Sequence, residues 1–499
     1  MDLFHNLAIG LGAAITPINL VYCFIGCVLG TLIGVLPGIG PAATIAMLLP
    51  ITFTLKADAA LIMLAGIYYG AQYGGSTTAI LVNLPGEASS VVTTLDGYQM
   101  ARQGRAGVAL ATSAIGSFFA GTVATLILAM FAPPLAAIAL KFGPAEYFAL
   151  MVLGLVASVV LAQGSLIKAL AMIIFGLLIG IIGADVNSGL PRFTFGLPEL
   201  SDRLELVAVA MGMFGLGEII TNLQHQETRG SVIGKVTGLM PGLRDLKDMS
   251  WPIVRGTIVG SILGILPGGG AMLGSFASYS IEKKMAKDPS RFGRGAIEGV
   301  AGPESANNAA AQTSFIPMLT LGIPSNVIMA LMAGAMIIQG VQPGPAVMRE
   351  QPELFWGLIV SMWVGNLMLV ILNLPLIGIW VRLCTVPYHH LYPAIMVFCA
   401  IGVFTLNNST FDVYIMVLFG LVGYVFTKLE CEPAPMLLGM VLGPQMEEYL
   451  RRAMLLSRGD PLVFVQRPIS AGLLVVTVLA MVAVAMPTIR AKRDEALKE

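Results

Sequence analysis

Residues 469–487 read ISAGLLVVTVLAMVAVAMP, a run with no charge, and runs of this kind recur along the whole chain. Each approaches the roughly 20 residues that a helix needs to cross a ~30 Å hydrocarbon core. ALATSAIGSFFAGTVATLILAMFAPP, residues 109–134, is another. About a dozen such segments can be counted, some of them short or glycine-rich for a full span. In lipid every backbone N–H and C=O must be satisfied internally, which leaves helices and closed barrels. The weak alternating signal of a barrel does not fit these runs. Composition agrees: 56% of the 499 residues are hydrophobic and 11% charged, with a mean hydropathy of +0.84. Soluble domains are nearer a quarter charged. The expected fold class is all-α, a polytopic helical membrane protein set in a lipid bilayer.

Several function classes drop out. The formal net charge is zero, so no nucleic-acid partner is expected. The five cysteines (Cys23, Cys27, Cys384, Cys399 and Cys431) form no disulfide framework, and Cys23 and Cys27, one helical turn apart, read as small hydrophobes. The four histidines make no HExxH, and no GxxxxGK[ST] phosphate loop exists. The chain is therefore not its own ATPase, and no catalytic residue, metal or cofactor is expected. The start, MDLFHNLAIGLG, lacks the basic region of a cleavable signal peptide.

Polar material is concentrated in few places. The longest polar break, QHQETRGSVIGKVTGLMPGLRDLKDMS, closes at Ser250 and makes 224–250 a linker between a first half, 1–223, and a second, 251–489. A charged tail follows at 490–499, and residues 86–107 and 282–296 read as further loops. Basic clusters at 451–467 and in the tail flank one span, so counting positive charges gives no orientation.

Across these halves one pattern appears twice. GTLIGVLPGIGP begins at Gly30 and GSILGILPGGGA at Gly260. Gly26, Gly30, Gly34 and Gly38 recur every fourth residue, as do Gly256, Gly260, Gly264 and Gly268, at a constant offset of 230. Pro37 matches Pro267, and Gly40 matches Gly270. A weaker pair supports an internal duplication: YGGSTTAILVNLPGE (73–87) can be laid on AAQTSFIPMLTLGIPSN (310–326), with Pro85 over Pro324. Two repeats, read as inverted, are expected. Sequence does not decide whether segments 42–53 and 58–83 span or re-enter.

Glycines four apart line one helix face and allow close backbone approach. The breaks demand a different account. Pro-Gly-x-Gly interrupts the helix and frees backbone groups, which within hydrocarbon must find protein, water or ligand. A packed kink is one reading. Paired breaks in two repeats are also the sequence pointer to a transporter's central site, and a helix restarting there offers N–H groups and a positive dipole end to an anion. On that reading the candidate substrate-binding residues at the first break are Pro37, Gly38 and Gly40. At the second they are Pro267, Gly268, Gly269 and Gly270. The polar stretches add Ser76, Thr77, Thr78, Asn83, Pro85 and Gly86 from the first half. From the second they add Asn307, Asn308, Pro324, Ser325 and Asn326.

Charges within apolar segments are few. Lys168 is one; Asp185 and Asp412 read as helix-end caps. Glu218 and Glu304 are candidates for the coupling ion, Na+ or H+, while Glu218 also reads as merely preceding the linker. Asn307 and Asn308 read equally as ligands or as bonds across helices.

At this point the residues resemble a family, the large membrane subunit of the tripartite tricarboxylate transporters. The resemblance runs through GTLIGVLPGIGPAATIAMLLP, the long stretch ending DGYQMARQGRAG, GADVNSGLPRFTFG, GPESANNAAAQTSFIPMLTLGIPSN and PAPMLLGMVLGPQMEEYLRRA. It implies a permease of the bacterial inner membrane that imports citrate or related organic acid anions on an ion gradient. The implied partners are a periplasmic solute-binding protein and a small membrane subunit of about four helices. An elevator motion follows only by analogy of fold. A passive anion channel and an intramembrane enzyme are the alternatives; the enzyme is disfavoured because His5, His225, His389 and His390 lie outside the broken segments.

Overall fold

The computed structural model describes residues 3–36, 40–162, 165–185, 188–224, 236, 238–268, 270–384 and 388–485. They are helical almost throughout, and the strands among them are the short antiparallel pair Gly183–Ala184 and Pro191–Arg192. The first half contains α1 (Leu3–Ala14), α2 (Pro17–Val35), α3 (Pro41–Thr52), α4 (Ala57–Val82), α5 (Val91–Met100), α6 (Ala106–Ala139), α7 (Pro144–Leu161) and α8 (Leu166–Gly180). Short helices α9 (Leu206–Ala210) and α10 (Gly217–Gln224) flank a π-turn at Met211–Leu216. The second half opens with α11 (Leu243–Ile265), α12 (Gly270–Met285), α13 (Glu298–Thr313), α14 (Phe315–Leu321) and α15 (Val327–Ile338). It closes with α16 (Val347–Glu350), α17 (Pro352–Asn373), α18 (Ile377–Cys384), α19 (Tyr388–Asn407), α20 (Thr410–Lys428), α21 (Ala434–Leu456), α22 (Val463–Gln466) and α23 (Pro468–Ala485).

Among the described residues, five helical stretches are long and apolar enough to cross a membrane, accompanied by apolar helices of 10–17 residues. Proline breaks cut several apolar runs short of a full span, as at α3. Proline opens α2, α3, α7 and α17, where its missing N–H costs nothing. Large side chains such as Tyr68, Tyr69, Phe315, Phe355 and Trp356 are wholly buried between helices. Ile174, Leu178, Val475 and Leu479 point outward, as lipid-facing residues do.

Glycine faces set the helix directions. A Cβ on Gly26, Gly30 or Gly34 would strike the backbones of Met63, Ile67 and Ala71 in turn, so α2 and α4 run parallel. A Cβ on Gly256, Gly260 or Gly264 would strike Gly302, Ala306 and Ala310, so α11 and α13 are parallel too. A chain that enters twice in the same direction must come back between, and α3 and α12 are those returns. Across the two halves, Tyr68 lies against Phe315, with ring centroids 6.4 Å apart, while Ser76 donates to Glu304. Rising numbers on α4 thus meet falling numbers on α13–α14, and these helices are antiparallel.

Both α4 and α14 end on a left-handed residue, Asn83 (φ 60) and Gly322 (φ 74). Each is followed by an apolar residue and a proline. Glu87 (φ −150, ψ 165) and Asn326 (φ −152, ψ 177) then start the next helical segments in nearly one backbone conformation.

Two expectations need correcting. Residues 86–107 are not a solvated loop: a 3-10 turn, α5 and a π-turn at Ala101–Arg105, kinked at Gly104 (φ 80), lead into α6. Some of their polar groups are internal; buried Asp96 accepts from the amides of Gly295 (2.7 Å) and Ala296 (2.8 Å) and from the Tyr279 hydroxyl (2.9 Å). Likewise α11 begins at Leu243, so the end of the expected linker is helix.

Candidate functional site

The breaks meet around one cavity of about 260 Å³. Its wall takes Gly40–Ala42 from the start of α3 and Gly268, Gly270 and Met272 from the start of α12. It also takes Glu87–Ser89 from the turn before α5, and Asn326–Ile328 from the start of α15. Helix N-termini from both halves therefore face one space with the positive ends of their dipoles. Tyr68 and Gln72 of α4, Phe214 and Glu218 beside the π-turn, and Glu432, Ala434 and Leu438 at the start of α21 complete it. No Lys or Arg is part of this lining among the described residues. An anion here would be held by backbone amides and by neutral side chains.

Local packing holds the breaks in place. Gly268 (φ 80) has no room for a side chain: a Cβ would lie 3.0 Å from that of Ser158 and closer still to its Cα. Its amide donates to the Ser325 carbonyl at 2.7 Å, and the Ser325 hydroxyl donates to the Ser314 carbonyl at 3.2 Å. In the first half, the Thr78 hydroxyl donates to the Val35 carbonyl at 2.9 Å, and Gly86 packs on Gly34 and Gly75. The Glu218 carboxylate faces the backbone of Gly40, 3.7 Å from where a Cβ would stand. Asn326 caps α15, its Oδ1 accepting from the Met329 amide at 2.9 Å.

Of the sequence candidates, Gly40, Gly268, Gly270, Asn326 and Glu218 border the cavity. Pro37, Gly38 and Gly269 lie outside the described residues. Pro267 packs beside Gly154 of α7. Ser76, Thr77 and Thr78 stand behind the wall because the rotation of α4 turns them to neighbouring helices, and Pro85, Gly86, Pro324 and Ser325, in the turns after α4 and α14, are not part of the lining either. Asn83 is exposed at the end of α4. Asn308 donates to Ser117 (2.7 Å) and to the Glu304 carbonyl (3.1 Å), so its amide serves as a bond across helices. Asn307 donates to Glu87 at 3.3 Å. Glu304 is wholly buried behind the cavity, accepting from the hydroxyls of Ser76, Thr93 and Ser113 on three different helices.

Other charges are far from it. Lys168 donates to the Leu429 carbonyl at 2.7 Å on the outer surface. Asp185 does not cap α8, which ends at Gly180; it pairs with Arg451 at 3.1 Å, tying the 183–205 segment to α21. Asp412 does stand in the first turn of α20, its amide bonded to Ser409. Cys23 and Cys27 are buried against α17, as small hydrophobes are. Sequence reasoning missed Tyr68, Gln72, Ser89 and Glu87 as lining residues. The signal was available for Glu87, which sits one residue past a Pro-Gly break at the place Asn326 holds in the other half.

Residues 20–438 match the tripartite tricarboxylate transporter TctA family. The chain is 61% identical over its whole length to an uncharacterised 52.8 kDa protein in the TAR-I ttuC' 3' region of Agrobacterium vitis, covering 99% of that protein. It is also 61% identical over 232 residues, 46% of this chain and 96% of the relative, to an uncharacterised protein in the TAR-II ttuC' 3' region of the same organism. No solved structure matches. The chain belongs to the tripartite tricarboxylate transporter TctA family.

Proposed function

We propose that this chain is the permease subunit of a secondary importer for tricarboxylates or related organic acid anions, multi-pass in a bacterial inner membrane and driven by a Na+ or H+ gradient. A periplasmic solute-binding protein delivers the anion, and a small four-helix membrane subunit completes the carrier. The observation that carries this reading is the convergence of helix starts from both halves on a cavity without Lys or Arg. Fixed amides there can hold an anion yet release it, whereas an arginine clamp favours retention.

The two halves are an inverted repeat on this reading. Its support is the parallel α2–α4 and α11–α13 pairs, the antiparallel relation of α4 to α13, and the matched caps at Glu87 and Asn326. Opposite orientation brings one break from each side to a common midplane site, as in many carriers of inverted repeats.

Uptake by the three proteins reconstituted in vesicles, screened over organic acids with Na+ and pH gradients varied separately, tests the proposal. Gradient-driven accumulation of one acid class is expected. Uptake that persists after the gradients collapse, without the binding protein, identifies a passive channel instead.

A further inference from the structure

The carboxyl group of Glu87 lies where the two halves touch. Its Oε1 is met by the Ser89 hydroxyl and, at 3.3 Å, by Asn307 Nδ2 from α13. Ser89 Oγ also lies 2.8 Å from Gln72 Oε1 of α4. One hydroxyl hydrogen thus faces two acceptor oxygens. Asn307 is wholly buried, its amide head lies against Glu87, and its Oδ1 has no partner. Glu304, three residues before Asn307 and on the same face of α13, brings a second acidic group with only hydroxyls around it.

The basic side chains that could neutralise these groups are engaged elsewhere, as in Arg255 with Glu282, Arg105 with Asp245 and Arg192 with Glu447. An organic anion entering the adjoining cavity meets the Glu87 charge at low dielectric, where repulsion is strong. What the cluster does offer is oxygen: a carboxylate, two amide carbonyls and a hydroxyl, which are hard donors suited to a hard cation.

We propose that Glu87, Gln72, Ser89 and Asn307 form a binding site for a monovalent metal cation of sodium's size, filled together with the organic anion. Asn307 then turns its unpaired carbonyl oxygen to the cation and is not a ligand of the anion. Because the donors come from α4, from the turn after it and from α13, occupancy joins the two oppositely directed halves at the cavity wall. The cation cancels the Glu87 charge, so each ligand raises the other's affinity by the same factor. This site rests on the carrier reading above.

The test is equilibrium binding of radioactive sodium to the purified full chain in detergent, with choline replacing unlabelled sodium, alongside organic-acid binding in each salt. Wild type is expected to bind sodium saturably, and one organic acid to bind roughly tenfold or more tighter in sodium than in choline. Glu87→Gln and Asn307→Ala should each lose sodium binding while melting as wild type does in choline. If neither variant folds, the wild-type comparison alone decides. Absence of saturable sodium binding overturns the site, as does a folded Glu87→Gln that binds sodium normally. An organic acid bound equally in sodium and choline also overturns it and leaves the carrier reading intact. Saturable sodium binding that is lost in Glu87→Gln, with no organic acid bound in any salt, upholds the site and removes the carrier reading.

Discussion

Asn326 does two things at once: its Oδ1 accepts from the Met329 amide at 2.9 Å, and the residue borders the cavity. Asp is as good a helix cap as Asn, so Asn326→Asp separates the two. The melting temperature should stay near wild type, whereas the added charge at the cavity should weaken organic-acid binding by about tenfold or more, read by ligand-induced thermal shift. Glu304 gives the opposite contrast. Its carboxylate collects three hydroxyls in a wholly buried place. Glu304→Ala removes the acceptor of the Thr93 and Ser113 hydroxyls, while Ser76 keeps the Gln72 carbonyl at 3.0 Å, at about 1–3 kcal/mol for each group left unpaired, and opens a void besides. Glu304→Gln keeps the shape and an acceptor oxygen. Denaturation in detergent should therefore show a large loss for Ala and a small one for Gln; equal losses would mean that charge, not satisfaction of the hydroxyls, holds this place.

At the scale of elements, the four-residue glycine spacing gave the close pairing of α2 and α11 directly, because only a helix face made of glycines admits another backbone so near. The partners were harder to find. Gly66, Gly70 and Gly74 answer the glycines of α2, but Gly302, Ala306 and Ala310 on α13 alternate in sequence with Pro303, Glu304, Asn307 and Asn308 of its other faces, which hides a small-residue stripe. Gly260→Leu must push a side chain into the Ala306 backbone, an overpacking of roughly 1–3 kcal/mol or more. Gly30→Leu meets Ile67 and Gly70 in the same way. Both should lower the yield of monodisperse protein in size-exclusion chromatography, and Gly12→Leu, at a glycine with nothing near its missing Cβ, should not. The breaks themselves were visible as Pro-Gly sequences. Which of their polar neighbours face the cavity was not, because that depends on helix rotation. Ser76 and Thr78, prominent in YGGSTT, point into packing, while Gln72 one turn earlier lines the wall. Glu87 escaped because its partner Asn307, on α13, stands 220 positions away in the sequence.

For the molecule as a whole, charge predicts an orientation that counting loops in sequence could not, because the fold shows which loops share an end. Arg105 pairs with Asp245 at 2.6 Å, and Gln103 Nε2 donates to the Arg294 carbonyl at 2.8 Å. The π-turn after α5, the start of α11 and the turn between α12 and α13 therefore meet at one face. Arg102, Arg105, Arg244, Lys247, Lys283, Lys284, Lys287, Arg291 and Arg294 all belong to it. Trp251, 69% exposed beside Lys247, suits the level where lipid headgroups begin. Since α13 leaves this face and α4 runs against α13, α4 must start at the opposite one, near Lys56. With 26 residues at ~1.5 Å each, α4 is long enough to separate the two faces by a full bilayer core. Excess Lys and Arg mark the cytoplasmic side, which predicts a cytoplasmic Arg105–Asp245 face and a periplasmic Lys56. Single cysteines placed in a background without the native five check this. Lys56→Cys should react with a membrane-impermeant maleimide in intact cells. Lys287→Cys, equally exposed, should react only after the membrane is opened. The reverse pattern would invert the carrier and place the start of α4, not the charged turn before α13, in the cytoplasm.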